Sequence, residues 1–348
     1  MDLGAAGLTE QPFPAHGKAS GIVSYGALLE AIEILETTYS SPTGLSLLQG
    51  PTLSGKSTLI RHFINSLHED CAVAVVDGKG LNTTYLLLNI LRQFGYNLDQ
   101  SSATELLGLI RVFALQQAAY HESPLLIVEN THELNPSGLR ALCELADLRV
   151  RTGSALKIVL VSDRSLHPLL AAPAMDSIAR RLLHDFHMRP MTASETHDYL
   201  YSKLRESGSD YPEFVFPDAV CTELYRASGG WPGIIDRLAL LALSRAETLP
   251  VSTADIERPV LPAGTWDEGE LALAEQERPV APGAPQMVIT TNGKVVAELA
   301  MERARMLIGR SEHNDISIRS QFISRHHAML VRHGGSTFLM DLNSTNGT

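Results

Sequence analysis

The chain has few cysteines, few aromatic residues and no long apolar run, and each shortage removes a class of protein. Its three cysteines, Cys71, Cys143 and Cys221, lie far apart, have no CxxC spacing and each sit in an apolar run. That excludes a disulfide framework and a cysteine zinc site and leads us to expect a reduced, cytoplasmic compartment. No apolar stretch reaches the roughly 18 residues of a membrane span, and the opening M-D-L-G-A-A-G-L-T-E has an acid where a signal peptide needs bases. Direct membrane insertion is therefore not expected. Basic residues are also scarce, with 28 Lys+Arg against 39 Asp+Glu. Residues 286–348 hold seven Lys/Arg and five Asp/Glu, so they carry +2 of the net −11 and leave −13 on residues 1–285. A body that acidic has no broad footprint for a polyphosphate backbone, so a nucleic-acid partner is not expected.

What remains is ordinary globular material, with 44% hydrophobic and 19% charged residues. At 348 residues the chain exceeds the size at which a single core stops growing, so a large and a small domain are expected. Short apolar runs, L-S-L-L-Q (45–49), A-V-A-V-V (72–76), L-L-I-V (125–128) and K-I-V-L-V (157–161), alternate with amphipathic segments. This is the pattern of buried parallel strands between helices, a three-layer α/β fold. F-H-M (186–188) predicts a fifth strand. From Thr192 the pattern is helical: T-A-S-E is a capping box, Gly208 a stop, Pro217 a second start, and G-G-W-P (229–232) separates off a third helix. Prolines and acids between 248 and 285 predict a linker. After it, short strands with turns, including Asn292-Gly293 between two runs, predict an all-β sandwich. The expected domains are 1–190 (α/β), 191–247 (helical lid), 248–285 (linker) and 286–348 (β).

The first motif is Gly50-Pro51-Thr52-Leu53-Ser54-Gly55-Lys56-Ser57, between an apolar strand and a helical run. It fits G-x-x-x-x-G-K-[ST], a loop whose glycines let backbone N–H groups turn onto phosphates. Gly50, Ser54, Gly55, Lys56, Ser57 and Thr58 are the candidate nucleotide contacts, with Lys56 neutralising the outer phosphates and the Ser57 hydroxyl on Mg²⁺. The second is L-L-I-V-E-N (125–130), which puts Glu129 at the metal and Asn130 where an acid would polarise the attacking water. An amide orients water but accepts no proton, and loss of a general base costs about 10²- to 10⁴-fold. His132 and Glu133 lie close by as substitutes.

These stretches, with Q-P-F (11–13), L-K-I-V-L-V-S-D-R-S-L, A-R-R-L-L-H-D-F-H-M-R-P-M-T-A-S-E-T-H-D-Y-L and S-G-G-W-P-G-I-I-D-R-L, resemble the AAA+ ATPase domain of the general secretion pathway A (ExeA-like) family. The resemblance implies ATP and Mg²⁺ as ligands. It also implies Ser162 or Asp163 as the sensor of the γ-phosphate, and Arg181, beside Arg180, as an arginine finger reaching a neighbouring subunit's nucleotide, hence a homo-oligomer. The family's Pro-Arg in the lid is Pro232-Gly233 here, with Arg237 about one turn further on.

The last blocks, G-R-S-E-H-N-D-I-S-I (309–318), F-I-S-R-H-H-A (322–328) and D-L-N-S-T-N-G-T (341–348), resemble a forkhead-associated (FHA) domain, a β-sandwich that binds phosphothreonine peptides. By that resemblance Arg310 contacts the phosphate, Ser324 donates its hydroxyl, Arg325 adds charge, and Thr345 and Asn346 grip the phosphate region and peptide backbone. His327 braces the loop and Gly309 lets it turn. The domain is expected to be incomplete at its C-terminal end.

Taken together, these readings predict an ATP-binding AAA+ protein. The leading expectation is a slow ATPase coupling nucleotide state to a phosphothreonine-marked partner in a secretion or envelope assembly, peripheral to the inner membrane through partners. The alternatives are a non-hydrolysing ATP-binding scaffold and a DNA-associated ATPase of the transposition type, which the acidic body disfavours.

Overall fold

In the computed structural model the described residues are 7–13, 22–68, 70–98, 101–120, 122–151, 153–164, 166, 170, 180–256, 286–291, 294–301, 303–311, 314–333, 336–342, 344 and 348. Asn292-Gly293, Thr345, Asn346 and most of the predicted linker lie outside them. Contacts divide the chain into two units, residues 24–189 and residues 1–23 with 190–348.

The first unit is built from the apolar runs. Strands β1 (Leu45–Gln49), β2 (Val73–Asp77), β3 (Leu125–Glu129), β6 (Lys157–Ser162) and β7 (His184–His187) form one sheet in the order β2-β3-β6-β1-β7, and every described pairing is parallel. Parallel strands need crossovers, which among the described residues run through helices α2 (Lys56–Ser66), α3 (Thr83–Gln93), α4 (Ala103–Tyr120) and α5 (Pro136–Ala146), while α1 (Gly26–Ser40) precedes β1. A two-residue ribbon, β4 (Arg149–Val150) with β5 (Gly153–Ser154), precedes β6. Strand β3 lies between β2 and β6, and Leu125, Leu126, Ile127 and Val128 are wholly buried, which explains a continuous apolar run instead of an alternating one. Leu86, Leu87, Ile90, Leu91, Leu106 and Ile110 join Leu126, Val128 and Ile158 in the core. The sheet's C-terminal edge carries Gln49, Asp77, Glu129 and Ser162, the end at which open α/β sheets bind ligands.

The second unit has a helical part, α6 (Ala193–Glu206), α7 (Pro212–Val215), α8 (Asp218–Ser228) and α9 (Pro232–Arg245). Its start is a full capping box: Glu195 N donates to Thr192 Oγ1 at 3.2 Å, and Thr192 N to Glu195 Oε2 at 2.8 Å. Ser207 caps the C-terminal end of this helix, and Gly208 follows at φ +104°, where a Cβ would be strained. The start of the chain packs here: Thr9 N donates to Ser207 O at 2.8 Å, and Phe13 stacks on Phe216. Thr192→Ala removes one partner of the box and lowers stability by about 1 kcal/mol, read as a shift in the urea midpoint at constant slope.

The same unit holds a β part. Strands β8 (Gln286–Thr291) and β9 (Lys294–Ala300) form an antiparallel pair, while β10 (Arg305–Gly309), β11 (Ile316–Ser317), β12 (Ala328–His333) and β13 (Ser336–Asp341) form a sheet in the order β11-β10-β12-β13. Met301, Met306, Ile316 and Leu330 make its small core.

Candidate functional site

The phosphate loop leaves β1 and is tied to β6 by Gly50 N donating to Ser162 O at 3.1 Å. Leu53 and Gly55 take positive φ, 69° and 96°, which alternates the backbone and turns successive N–H groups into a concavity suited to an anion. Gly55 is also the N-cap of α2, so the helix's unsatisfied N–H groups face the same place.

Lys56 is buried and turned into its own loop. Its Nζ donates to Gly50 O at 2.6 Å, Pro51 O at 2.8 Å and Ser54 Oγ at 3.2 Å, and pairs with Asp163 Oδ1 at 2.9 Å. Thr52 Oγ1 donates to the other Asp163 oxygen at 2.9 Å. Burial pushes the Lys56 ammonium below its usual pKa, with Asp163 and Glu129 opposing. Burial alone would raise the Asp163 carboxyl, but the Lys56 charge and the hydrogen bonds from Lys56 and Thr52 outweigh it and hold it below the usual carboxylate range. Asp163 is thus the fixed counter-charge of the loop lysine. Ser162 is buried, with its Oγ donating to Arg164 O and lying 3.3 Å from His132 Nδ1.

Glu129, at the end of β3 beside β6, accepts from Ser57 Oγ of α2 at 3.3 Å, which brings the two residues expected at the metal to one point. Glu129 is half-buried and its pKa is raised, first by burial and then by the charges of Asp77 and Asp163. Asn130 has left-handed backbone, φ 53°, and its Nδ2 donates to Asp77 Oδ1 at 2.7 Å. His132 and Glu133 face each other at 3.9 Å, so His132 bridges from Glu133 to Ser162. Thr58 is exposed at the start of α2. Arg181 is drawn elsewhere: its Nε and Nη2 donate to both oxygens of Asp147, at 2.5 and 2.6 Å, at the end of α5. Arg237 lies in α9 of the other unit, its guanidinium pKa lowered by burial against the pull of Asp236.

Several contributors carried no motif. Asp77 is one. Gln49 is another: buried at the end of β1, it donates to Asp185 and accepts from Leu166 N at 2.7 Å, and so ties β7 and the segment after β6 to the root of the loop. A buried amide at the end of an otherwise apolar run was the available signal for it.

In the β part, Arg310 N donates to Ser324 O at 2.8 Å and Ser311 N to Arg325 O at 3.1 Å, which clasps the loop after β10 to the loop before β12. Buried Asn314 locks the clasp, its Nδ2 donating to Ser311 O at 2.8 Å and Arg325 O at 2.6 Å. Buried His327 accepts from Ser324 N at 3.2 Å. A Cβ on Gly309 would lie 2.3 Å from Arg325 O, so only glycine allows this approach. The Arg310 and Arg325 side chains are exposed on this frame, and Ser324 is half-buried beside them. Two guanidiniums and a hydroxyl on braced loops are a suitable set for a phosphate dianion.

Both parts of the chain have counterparts among known proteins. An AAA domain model matches residues 39–170 and an FHA domain model matches residues 306–348. General secretion pathway protein A of Aeromonas hydrophila is 27% identical over 273 residues, 76% of this chain and 50% of that protein. The chain spans about half the length of this curated relative. Among solved structures, the Aeropyrum pernix ORC2 protein in its ADPNP–ADP complexes superposes with a TM-score of 0.51 at 17% identity, covering 69% of this chain and 66% of that one. Cdc6p from Pyrobaculum aerophilum gives a TM-score of 0.51 at 16% identity, covering 67% and 64%. At such identities the likeness is one of fold. The chain carries an AAA domain followed by an FHA domain and resembles General secretion pathway protein A over three quarters of its length.

Proposed function

We propose that this protein binds Mg-ATP at the Gly50–Ser57 loop, hydrolyses it slowly, and couples its nucleotide state to a phosphothreonine-containing partner held by the FHA domain. The observation that carries this reading is the convergence of Lys56, Ser57, Glu129 and Asp163 at the C-terminal edge of the sheet, beside backbone N–H groups turned inward. Among the described residues no group of three His, Cys, Asp or Glu forms a metal cage. The Ser57 hydroxyl and the Glu129 carboxylate would hold Mg²⁺, a hard cation that takes oxygen ligands. When bound, the ion neutralises the charge developing on the β- and γ-phosphates. In this reading Gly50, Ser54, Gly55 and Thr58 line the phosphates, Lys56 swings from its own carbonyls onto them, and Ser162 or Asp163 reports the γ-phosphate.

Arg181 serves as the finger between subunits of a homo-oligomer. Within one chain it is spent on Asp147, but an exposed ion pair is worth only about 0–1 kcal/mol, less than a charge-assisted contact to phosphate. Assembly can therefore release it. Arg310, Ser324, Arg325, Thr345 and Asn346 take the phosphothreonine. A secretion or envelope assembly is the setting this reading favours, supported by the likeness to General secretion pathway protein A; among the described residues no helix is long and apolar enough to cross a membrane.

The test is linkage. Saturating phosphothreonine peptide shifts ATP affinity of the full chain by at least about fivefold, and ATP shifts peptide affinity by the same factor, because coupling of binding free energies is reciprocal. Affinities that ignore each other would refute the coupling. A second reading, in which ATP is held and not cleaved, is favoured by the Asn130 amide, which cannot take a proton. Tight Mg-ATP binding with no phosphate release at any protein concentration would select it.

A further inference from the structure

The missing acid at position 130 has a counterpart on the next strand. Asp77 ends β2 and pairs in register with Glu129 of β3, so both carboxylates stand at the same edge of the sheet. They are not equivalent. Glu129 is half-buried and bonded to Ser57, on the metal side, whereas Asp77 is exposed. One Asp77 oxygen, Oδ1, accepts from Asn130 Nδ2 at 2.7 Å and from Lys79 N at 3.0 Å. Two donors on one oxygen fix the plane of the carboxylate, and among the described residues none donates to Oδ2. Asn130 suits this bracing role, since an amide offers two N–H groups and no competing negative charge, and its left-handed backbone turns it toward β2.

We propose that the two positions have exchanged roles, with Asp77 the general base for the attacking water and Asn130 the residue that orients it. The water oxygen forms a bond to the γ-phosphorus as the bond from that phosphorus to the β–γ bridging oxygen breaks, and the electron pair leaves with ADP. The water proton passes to Asp77 Oδ2 and from there to solvent or the released phosphate. A carboxylate suits this step because it accepts a proton that the Asn130 amide cannot.

This inference rests on the reading of the chain as an ATPase, and the experiment separates the two. In the full chain with Mg²⁺, D77N binds a fluorescent ATP analogue within about threefold of wild type but releases phosphate about 10²- to 10³-fold more slowly. Chromatography of the nucleotide retained on the purified variant finds ATP, where wild type retains ADP. Because each carboxylate lies across one hydrogen bond from the amide, the reciprocal double variant, D77N with N130D, recovers turnover to within about tenfold of wild type. A D77N protein that turns over like wild type, or a double variant no faster than D77N, would overturn the assignment of Asp77 while leaving the ATPase reading intact. Wild-type protein that binds Mg-ATP and never releases phosphate would overturn both.

Discussion

Replacing Lys56 by alanine is expected to weaken Mg-ATP binding by about 10²- to 10³-fold and to remove phosphate release with it. That size corresponds to about 3–4 kcal/mol, the loss of about two hydrogen bonds to charged oxygens at about 1.5–2 kcal/mol each. Lys56 is buried, and its ammonium serves Gly50 O, Pro51 O, Ser54 Oγ and Asp163. Its loss therefore strips the carboxylate of Asp163 of its counter-charge and leaves it the Thr52 hydroxyl, and the nucleotide-free protein loses about 1–3 kcal/mol of stability as well. Arginine does not rescue binding. A planar fork cannot fold back onto two carbonyls of its own loop as a compact ammonium does. Fluorescent-nucleotide titration and thermal melting of K56A and K56R measure the two effects separately, and wild-type affinity in K56A would refute the assignment of the loop.

Arg310→Ala is expected to weaken binding of a phosphothreonine peptide by about 30- to 150-fold and to bring it close to the affinity of the unphosphorylated peptide. One charge-assisted pair to a dianion contributes about 2–3 kcal/mol, which gives that ratio. The side chain is exposed, and the loop is held by main chain: Arg310 N to Ser324 O, with Asn314 closing the clasp behind it. Truncating the side chain leaves that frame standing, so the loss is read in affinity and not in the melting temperature. Calorimetry with matched peptides checks it, and undiminished discrimination between them would move the site elsewhere.

Much of this could be read in the sequence wherever a local pattern has a single structural solution. L-L-I-V, a short apolar run among amphipathic segments, reads as a strand buried on both faces, and Thr192 with Glu195 reads as a helix start; both are what the structure has. The phosphate loop carries its own spacing. The fifth strand was harder to read, because β7 lies at the sheet edge and carries His184, Asp185 and His187, and it runs 184–187 where the apolar residues centred the expectation on 186–188. What the sequence hid were partnerships set by strand order. Asp77 and Asn130 are 53 positions apart and meet only because β2 is the neighbour of β3. Lys56 and Asp163 meet because β6 lies beside β1, and Arg181 and Asp147 meet through the end of α5. Parallel sheets bring distant loops to one edge, and no local periodicity encodes that order. Asn314 was overlooked for a different reason. In G-R-S-E-H-N-D it reads as a surface turn residue, yet it is buried because both of its donors are needed by loop carbonyls.

The central claim is that a complete nucleotide cradle is joined to a slowed hydrolytic apparatus that is finished only by a neighbouring subunit. The direct measurement is phosphate release per chain, with saturating Mg-ATP, across a wide range of protein concentration. Slow release is expected, with a specific rate that rises with concentration as Arg181 is transferred from Asp147 to the adjoining nucleotide, and none from K56A. A specific rate that is independent of concentration, or unchanged in K56A, would contradict it.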